Sequence, residues 1–92
     1  MLILRIKDGF SVVNLQGQNT VVADSANSAE LQNTIVLTDT SLFLWNMLKN
    51  GDVSKPQMLD ALLDNFDIST VLALSDIDVF IRTMRENGLI EE

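Results

Sequence analysis

The hydrophobic pattern of this chain changes once, at Thr38 and Asp39, and that change limits what the chain can fold into. Before it, β-branched residues gather in short runs interrupted by glycine; after it, apolar residues recur at spacings of three and four. Strands followed by helices in separate blocks are typical of α+β domains, in which helices pack on one face of a small antiparallel sheet. At 92 residues, the chain is predicted to form a single domain over residues 1–92.

The first block predicts three strands. Valine-rich runs at 10–15 and 19–23 flank Gly17, which predicts an antiparallel hairpin with a turn of about four residues. The polar stretch 24–33 predicts a loop. A third strand is predicted over Thr34, Ile35, Val36 and Leu37. These four residues do not alternate cleanly between polar and apolar, so they fit either a central strand covered on both faces or an edge strand.

Helix start and stop signals mark the first two helices. Thr38 or Asp39 can cap the first helix, and Gly51 is predicted to end it in a left-handed conformation. Ser54 and Gln57 fit a capping box for the second helix, with proline tolerated in its first turn. The short turn between these helices predicts a core like a helix-turn-helix, with the hairpin as a wing.

The third helix is predicted to begin after Ser69 and to run to about Asn87, with Gly88 as its stop. Four apolar residues share one face at spacings of four, three and four: Ala73, Ile77, Phe80 and Met84. A flank beside them carries Leu74, Asp78, Ile81, Arg82 and Arg85. This flank suits a peptide with apolar and acidic residues; alternatively, Val71, Leu72 and Leu74 are buried against the first helix or a dimer partner.

The composition excludes most catalytic chemistry. The chain has no cysteine, histidine or tyrosine, which excludes thiolate and imidazole metal sites and nucleophile-imidazole catalysis by this chain alone. We therefore predict a protein that is not an enzyme and binds no cofactor. The spacing of the carboxylates fits a solvated face better than a calcium loop. No signal peptide or membrane span is predicted, and the cytoplasm is the expected location.

Charge argues against nucleic-acid binding. Thirteen acidic and six basic residues give a net charge of −7. No segment holds more than two nearby cations, and the pairs are Arg5 with Lys7 and Arg82 with Arg85. The single tryptophan, Trp45, lies on an apolar helix face and is predicted to belong to the core.

The order and spacing of several positions in this chain resemble the pattern of the PqqD-like family, which is named for its part in pyrroloquinoline quinone biosynthesis. The resemblance runs from residues 7–10 to 88–90. Its positions are Leu37, Leu44, Trp45, Leu59, Leu62, Leu63, Phe66, Asp67, Ile68, Asp76, Ile77, Phe80, Ile81, Asn87, Gly88 and Leu89. The chain departs from typical members at the start of the third helix, where Val71, Leu72 and Leu74 are apolar.

The resemblance implies a fold similar to winged helix-turn-helix proteins and a function without catalysis. Members bind the leader of a ribosomally synthesised precursor peptide and present it to a modifying enzyme, often a radical S-adenosylmethionine enzyme. The leader is added as a strand between the third strand and the third helix. The resemblance makes the third strand the docking edge, and the flank of the third helix adds the residues placed there by periodicity. The predicted peptide-binding residues are therefore Thr34, Ile35, Val36, Leu37, Leu74, Asp78, Arg82 and Arg85.

Two other functions fit the sequence less well. A winged-helix regulator that binds DNA would have only Arg82 and Arg85 on the third helix to meet phosphates. An oligomerisation domain would use its apolar flank to form a homodimer.

Overall fold

The order of strands and helices matches the change in sequence pattern. The structure, a computed structural model, describes residues 2–24 and 34–92. Its elements are β1 (Ile3–Ile6), β2 (Phe10–Leu15), β3 (Gln18–Ala23), β4 (Val36–Leu37), α1 (Asp39–Lys49), β5 (Val53–Ser54), α2 (Lys55–Asn65), α3 (Thr70–Glu86) and β6 (Ile90–Glu91). The predicted α+β class is confirmed, with an antiparallel sheet β2-β3-β4 followed by three helices. The predicted loop 24–33 lies, beyond Asp24, outside the described residues.

The hairpin between β2 and β3 has a shorter turn than predicted. Leu15 pairs with Gln18, so the turn contains only Gln16 and Gly17, with φ of 53° and 83°. Positive φ at both central residues is the geometry that matches the twist of a two-residue hairpin. The side chain of Asn14 accepts a hydrogen bond from the Gly17 N–H at 3.1 Å, which stabilises the turn.

A second small sheet was not predicted. β1 lies between β5 and β6, with Ile3 opposite Ser54 and Ile6 opposite Ile90. The Lys7 N–H also donates to the Leu89 C=O at 2.9 Å. This sheet joins the start of the chain to the turn before α2 and to the segment after α3, so it fixes the helices relative to each other.

The helix starts follow the predicted caps. Thr38 caps α1 and Ser69 caps α3, each accepting a backbone N–H three residues ahead. At α2 the capping box is complete: the Ser54 hydroxyl accepts the Gln57 N–H at 3.3 Å, and the Gln57 side chain accepts the Ser54 N–H at 2.8 Å.

We expect Ser54→Ala to lower the free energy of unfolding by about 1 kcal/mol, because the buried hydroxyl satisfies an N–H that has no partner within the helix. Urea denaturation followed by circular dichroism measures this loss. Ser75→Ala, on the exposed side of α3, is the control and should change stability by less than about 0.5 kcal/mol. An equal loss in both variants would contradict the role of the capping box.

One predicted helix end is wrong. Gly51 does not adopt positive φ; α1 instead ends at Asn50, which has φ of −94° and ψ of −2°. The Asn50 side chain donates to the Asn46 C=O at 2.8 Å, so a side-chain amide takes the place of a left-handed glycine. At the end of α3, Gly88 does have positive φ, 71°, as predicted.

The core lies between the helices and the inner faces of both sheets. Trp45 is 2% exposed and packs there with Leu44 and Leu48 of the same helix, which confirms its predicted structural role. Phe43 of α1 and Phe66, at the end of α2, meet edge to face with ring centroids 5.5 Å apart. The buried face of α3 comprises Ala73, Ile77, Phe80, Ile81 and Met84.

Candidate functional site

The β4 strand lies at one edge of its sheet. It pairs with β3 on one side, and no described strand pairs with its other side. Side chains alternate along this strand and the two residues before it: Ile35 and Leu37 are buried in the core, whereas Thr34 and Val36 are exposed. Of the two interpretations of this segment, the edge strand with one covered face is therefore correct.

The hydrogen bonds to β3 determine which backbone groups of β4 point outward. The Val21 N–H donates to the Ile35 C=O at 2.9 Å, so Ile35 directs its backbone groups toward β3, and Leu37 does the same opposite Asn19. In an antiparallel ladder these directions alternate along the strand. The N–H and C=O of Val36, and those of Thr34, consequently face the open edge.

Helix α3 runs close to the end of this strand. Thr40, three residues after β4, donates a hydrogen bond from its hydroxyl to a carboxylate oxygen of Asp76 at 3.0 Å. Thr40 and Asp76 are both half-buried. This bond links the first turn of α1 to α3, and it identifies the side of α3 that faces the junction between β4 and α1.

Exposed apolar side chains lie on that side of α3. Leu72 and Val79 are 57% and 49% exposed, and they project within about 60° of Asp76 around the helix axis. Val36, on the neighbouring strand, is 46% exposed. The edge of β4 that no described strand pairs with and the Asp76 side of α3 thus both present uncharged aliphatic side chains, and such features can accept an extended peptide.

The other predicted α3 residues point away from β4. Asp78 forms an ion pair with Lys55 of α2, and it projects about 160° from Asp76 around the helix. Leu74 is half-buried on the same side as Asp78. The structure therefore does not bring Leu74 or Asp78 together with Thr34, Ile35, Val36 and Leu37; their contact with a peptide stays a prediction.

The two arginines of α3 differ in their surroundings. Arg85 forms an ion pair with Glu92, whereas Arg82 is exposed and forms no ion pair with any residue that the structure describes. Arg82 is therefore the α3 cation that is available to an acidic partner.

Sequence reasoning did not select Leu72, Asp76 and Val79 as site residues. The spacing of seven between Leu72 and Val79 places both on one helix face outside the core stripe, which is a signal that could have identified them. The bond between Thr40 and Asp76 joins residues that are 36 apart, and no local pattern predicts it.

The described residues contain neither a group of metal ligands nor a helix that could cross a membrane. Within residues 2–24 and 34–92, no group of three or more potential metal ligands occurs. Over the same residues, no helix is both long enough and apolar enough to cross a bilayer.

These observations define a small α+β domain in which one sheet edge pairs with no described strand and one side of α3 exposes apolar side chains. The chain belongs to the PqqD family: the family model described as coenzyme PQQ synthesis protein D matches residues 14–90. The family predicted from the sequence is thereby confirmed. No curated protein sequence matches the chain.

Two solved structures share this fold. One is described as "Lasso peptide synthetase B1 complexed with the leader peptide"; it is 18% identical, covers 97% of this chain and 98% of its own, and has a TM-score of 0.68. The other is described as "TbiB1 in Complex with the TbiA(beta) Leader Peptide"; it is 15% identical, covers 95% of this chain and 94% of its own, and has the same TM-score. At these identities the similarity shows a common fold over almost the whole chain.

Proposed function

We propose that this protein captures the leader of a ribosomally synthesised precursor peptide by strand addition and presents it to a peptide-modifying enzyme. The observation that carries this proposal is the edge of β4, which pairs with no strand among residues 2–24 and 34–92, together with the exposed Asp76 side of α3. Membership of the PqqD family supports it. So do the two structures of the same fold, both of which are complexes with leader peptides.

Backbone pairing would supply affinity at this site. A peptide strand lying antiparallel to β4 would exchange both of its hydrogen bonds with Val36 and would continue toward Thr34. Ile35 and Leu37 would act indirectly, because their buried side chains hold the strand in the register that directs Val36 outward.

Side-chain alternation would supply specificity. The peptide residue opposite Val36 would share the outer face of the sheet with it, and the residues on either side would point toward the helices. There they would meet Leu72 and Val79, which favours apolar residues at those two positions. Arg82 projects about 120° from Asp76 around the helix, so a peptide on the Asp76 side would not depend on it.

The protein itself would perform no chemistry, since the chain lacks cysteine, histidine and tyrosine. We assign the reaction to a partner, with a radical S-adenosylmethionine enzyme as the first candidate, and we place this step in the cytoplasm, where precursor peptides are translated.

The direct test is a titration of isotope-labelled protein with the leader peptide encoded beside its gene, followed by nuclear magnetic resonance. We expect the amide signals of Val36 and Thr34 to shift and their exchange with solvent to slow, because their N–H groups gain acceptors. Absence of binding, or shifts confined to other elements, would overturn the proposal. A gel shift with upstream DNA tests the regulator alternative and should show no complex.

Substitutions on α3 test which flank faces the peptide. We expect Leu72→Glu and Val79→Glu each to weaken leader binding by about tenfold, which corresponds to about 1.4 kcal/mol of lost apolar contact. Isothermal titration calorimetry measures the change in Kd.

Val71→Glu is the matched control. Val71 is 77% exposed on the same helix, but it projects about 140° from Asp76, so the same added charge should leave Kd within about twofold. If Val71→Glu weakened binding as much as Val79→Glu, the peptide would not lie on the Asp76 side of α3.

A further inference from the structure

We infer that Asp76 selects a basic residue of the leader, a lysine or arginine with apolar residues near it in the peptide. This inference rests on the proposed function, and it names the chemical class of peptide that the site would take. The Asp76 carboxylate lies near the end of β4: one of its oxygens accepts the Thr40 hydroxyl at 3.0 Å, and Thr40 follows the last residue of β4 by three.

Asp76 lies between the two exposed apolar residues that the peptide would cover. Leu72 comes four residues before it and Val79 three residues after it, and both project within about 60° of it. They are separated by roughly 10 Å along the helix axis, the length of about three extended peptide residues. A leader that contacts both of these side chains therefore also covers the Asp76 carboxylate.

A carboxylate covered without a partner would oppose binding. Asp76 is already half-buried, and among the described residues the Thr40 hydroxyl is its one hydrogen-bond partner. A carboxylate can accept about four hydrogen bonds, so most of its capacity is met by water until the peptide arrives. Displacing that water costs free energy unless the peptide supplies donors. A lysine or arginine supplies them together with the opposite charge.

The charges around this position are negative. β2, β3 and β4 contain no charged residue. Asp39 begins α1 and is exposed, and Glu86, also exposed, projects within about 80° of Asp76 around α3. The two cations of α3, Arg82 and Arg85, project about 120° and 180° away. With a net charge of −7 on the chain, the electrostatic potential at this site favours a cationic side chain.

The two flanks of α3 thus predict opposite charges for the leader. The flank selected from sequence alone, with Arg82 and Arg85, would favour acidic residues of the peptide. The Asp76 side, which the structure places near β4, favours basic ones. The dependence of binding on the charge of the leader therefore reports which flank the peptide uses.

Asp76→Asn tests the protein side of this contact. Asparagine keeps the shape of the side chain and an oxygen that can accept the Thr40 hydroxyl, but it removes the charge. We expect the Kd for the leader encoded beside the gene, measured by calorimetry, to rise about fivefold or more. Asp60→Asn is the matched control: it removes the same charge from an exposed position on α2, and Kd should stay within about twofold.

Substitutions in the leader test the peptide side. Each lysine and arginine of the leader is replaced in turn by glutamine, and each peptide is titrated into the unmodified protein and into Asp76→Asn. We expect one replacement to weaken binding to the unmodified protein about fivefold or more. The same replacement should change Kd for Asp76→Asn by less than about twofold, because both changes remove one ion pair. A purely structural role of Asp76 would not produce this coupling.

The outcomes separate this inference from the proposed function. If the leader does not bind the unmodified protein, both fail. If it binds but contains no basic residue, or if none of its basic residues is coupled to Asp76, this inference is overturned and strand addition to β4 still stands. It is equally overturned if binding depends on acidic residues of the leader and is weakened by Arg82→Gln.

Discussion

Val36→Pro is expected to abolish measurable leader binding or to weaken it by at least about tenfold, while leaving the protein folded. Proline removes the outward N–H of Val36, and its ring occupies the space where a peptide strand would approach. A lost hydrogen bond and an unpaired peptide carbonyl together account for a change of this size. Calorimetric titration with the leader peptide measures it.

The fold should survive this change because of the direction of that N–H. Val36 does not donate to β3, so proline at this position removes no bond of the β3-β4 ladder, and proline is tolerated on such edges. Val36→Thr is the matched control: it keeps the backbone donor and a β-branched side chain, and binding should stay within about threefold. Unchanged affinity in Val36→Pro would show that no strand pairs with this edge.

The elements that sequence predicts well are those encoded by adjacent residues. Thr38, Ser54 and Ser69 each cap a helix through a side chain that reaches only three residues ahead. Gly17 likewise marks a turn whose geometry is decided by two residues. Ser54 and Ser69 were predicted as caps, Thr38 was one of two predicted caps for the first helix, and the turn at Gly17 was predicted with a longer span than it has.

The second sheet could not be predicted in this way. β5 and β6 contain two residues each, too few for any periodicity. Their pairing with β1 connects Ile3 to Ser54 and Ile6 to Ile90, and such contacts depend on how the helices pack. The same reason explains why Gly51 was wrongly predicted as a left-handed cap: β5 begins two residues later, at Val53, and the side chain of Asn50 already satisfies a carbonyl of α1.

The candidate site likewise combines features that the local sequence predicts with features that depend on tertiary contacts. A strand was predicted over Thr34, Ile35, Val36 and Leu37; the structure forms it over Val36 and Leu37 and adds which backbone groups of this segment point outward. On α3, sequence periodicity separates the core face from the rest of the helix, but two flanks border that face. Only tertiary contacts tell them apart: the bond from Thr40 to Asp76 identifies the flank near β4, and the ion pair of Lys55 with Asp78 identifies the flank near α2.

Replacing Trp45 is expected to have the largest effect on stability. Trp45→Ala should lower the free energy of unfolding by about 3–5 kcal/mol, because the ring is almost completely buried and its removal leaves a cavity among Leu44, Leu48 and their neighbours. Since domains of this size are stable by about 5–15 kcal/mol in total, the variant should unfold at a much lower urea concentration.

The measurement must use circular dichroism, because the substitution removes the only tryptophan and the chain has no tyrosine. Val71→Ala is the control for truncating an apolar helix residue that is exposed, and it should change stability by less than about 0.5 kcal/mol. If Trp45→Ala instead retained its stability and lost leader binding, the ring would contribute to recognition. Burial at 2% exposure leaves almost no surface for a ligand to contact, so we expect Trp45 to affect binding only through the stability of the fold.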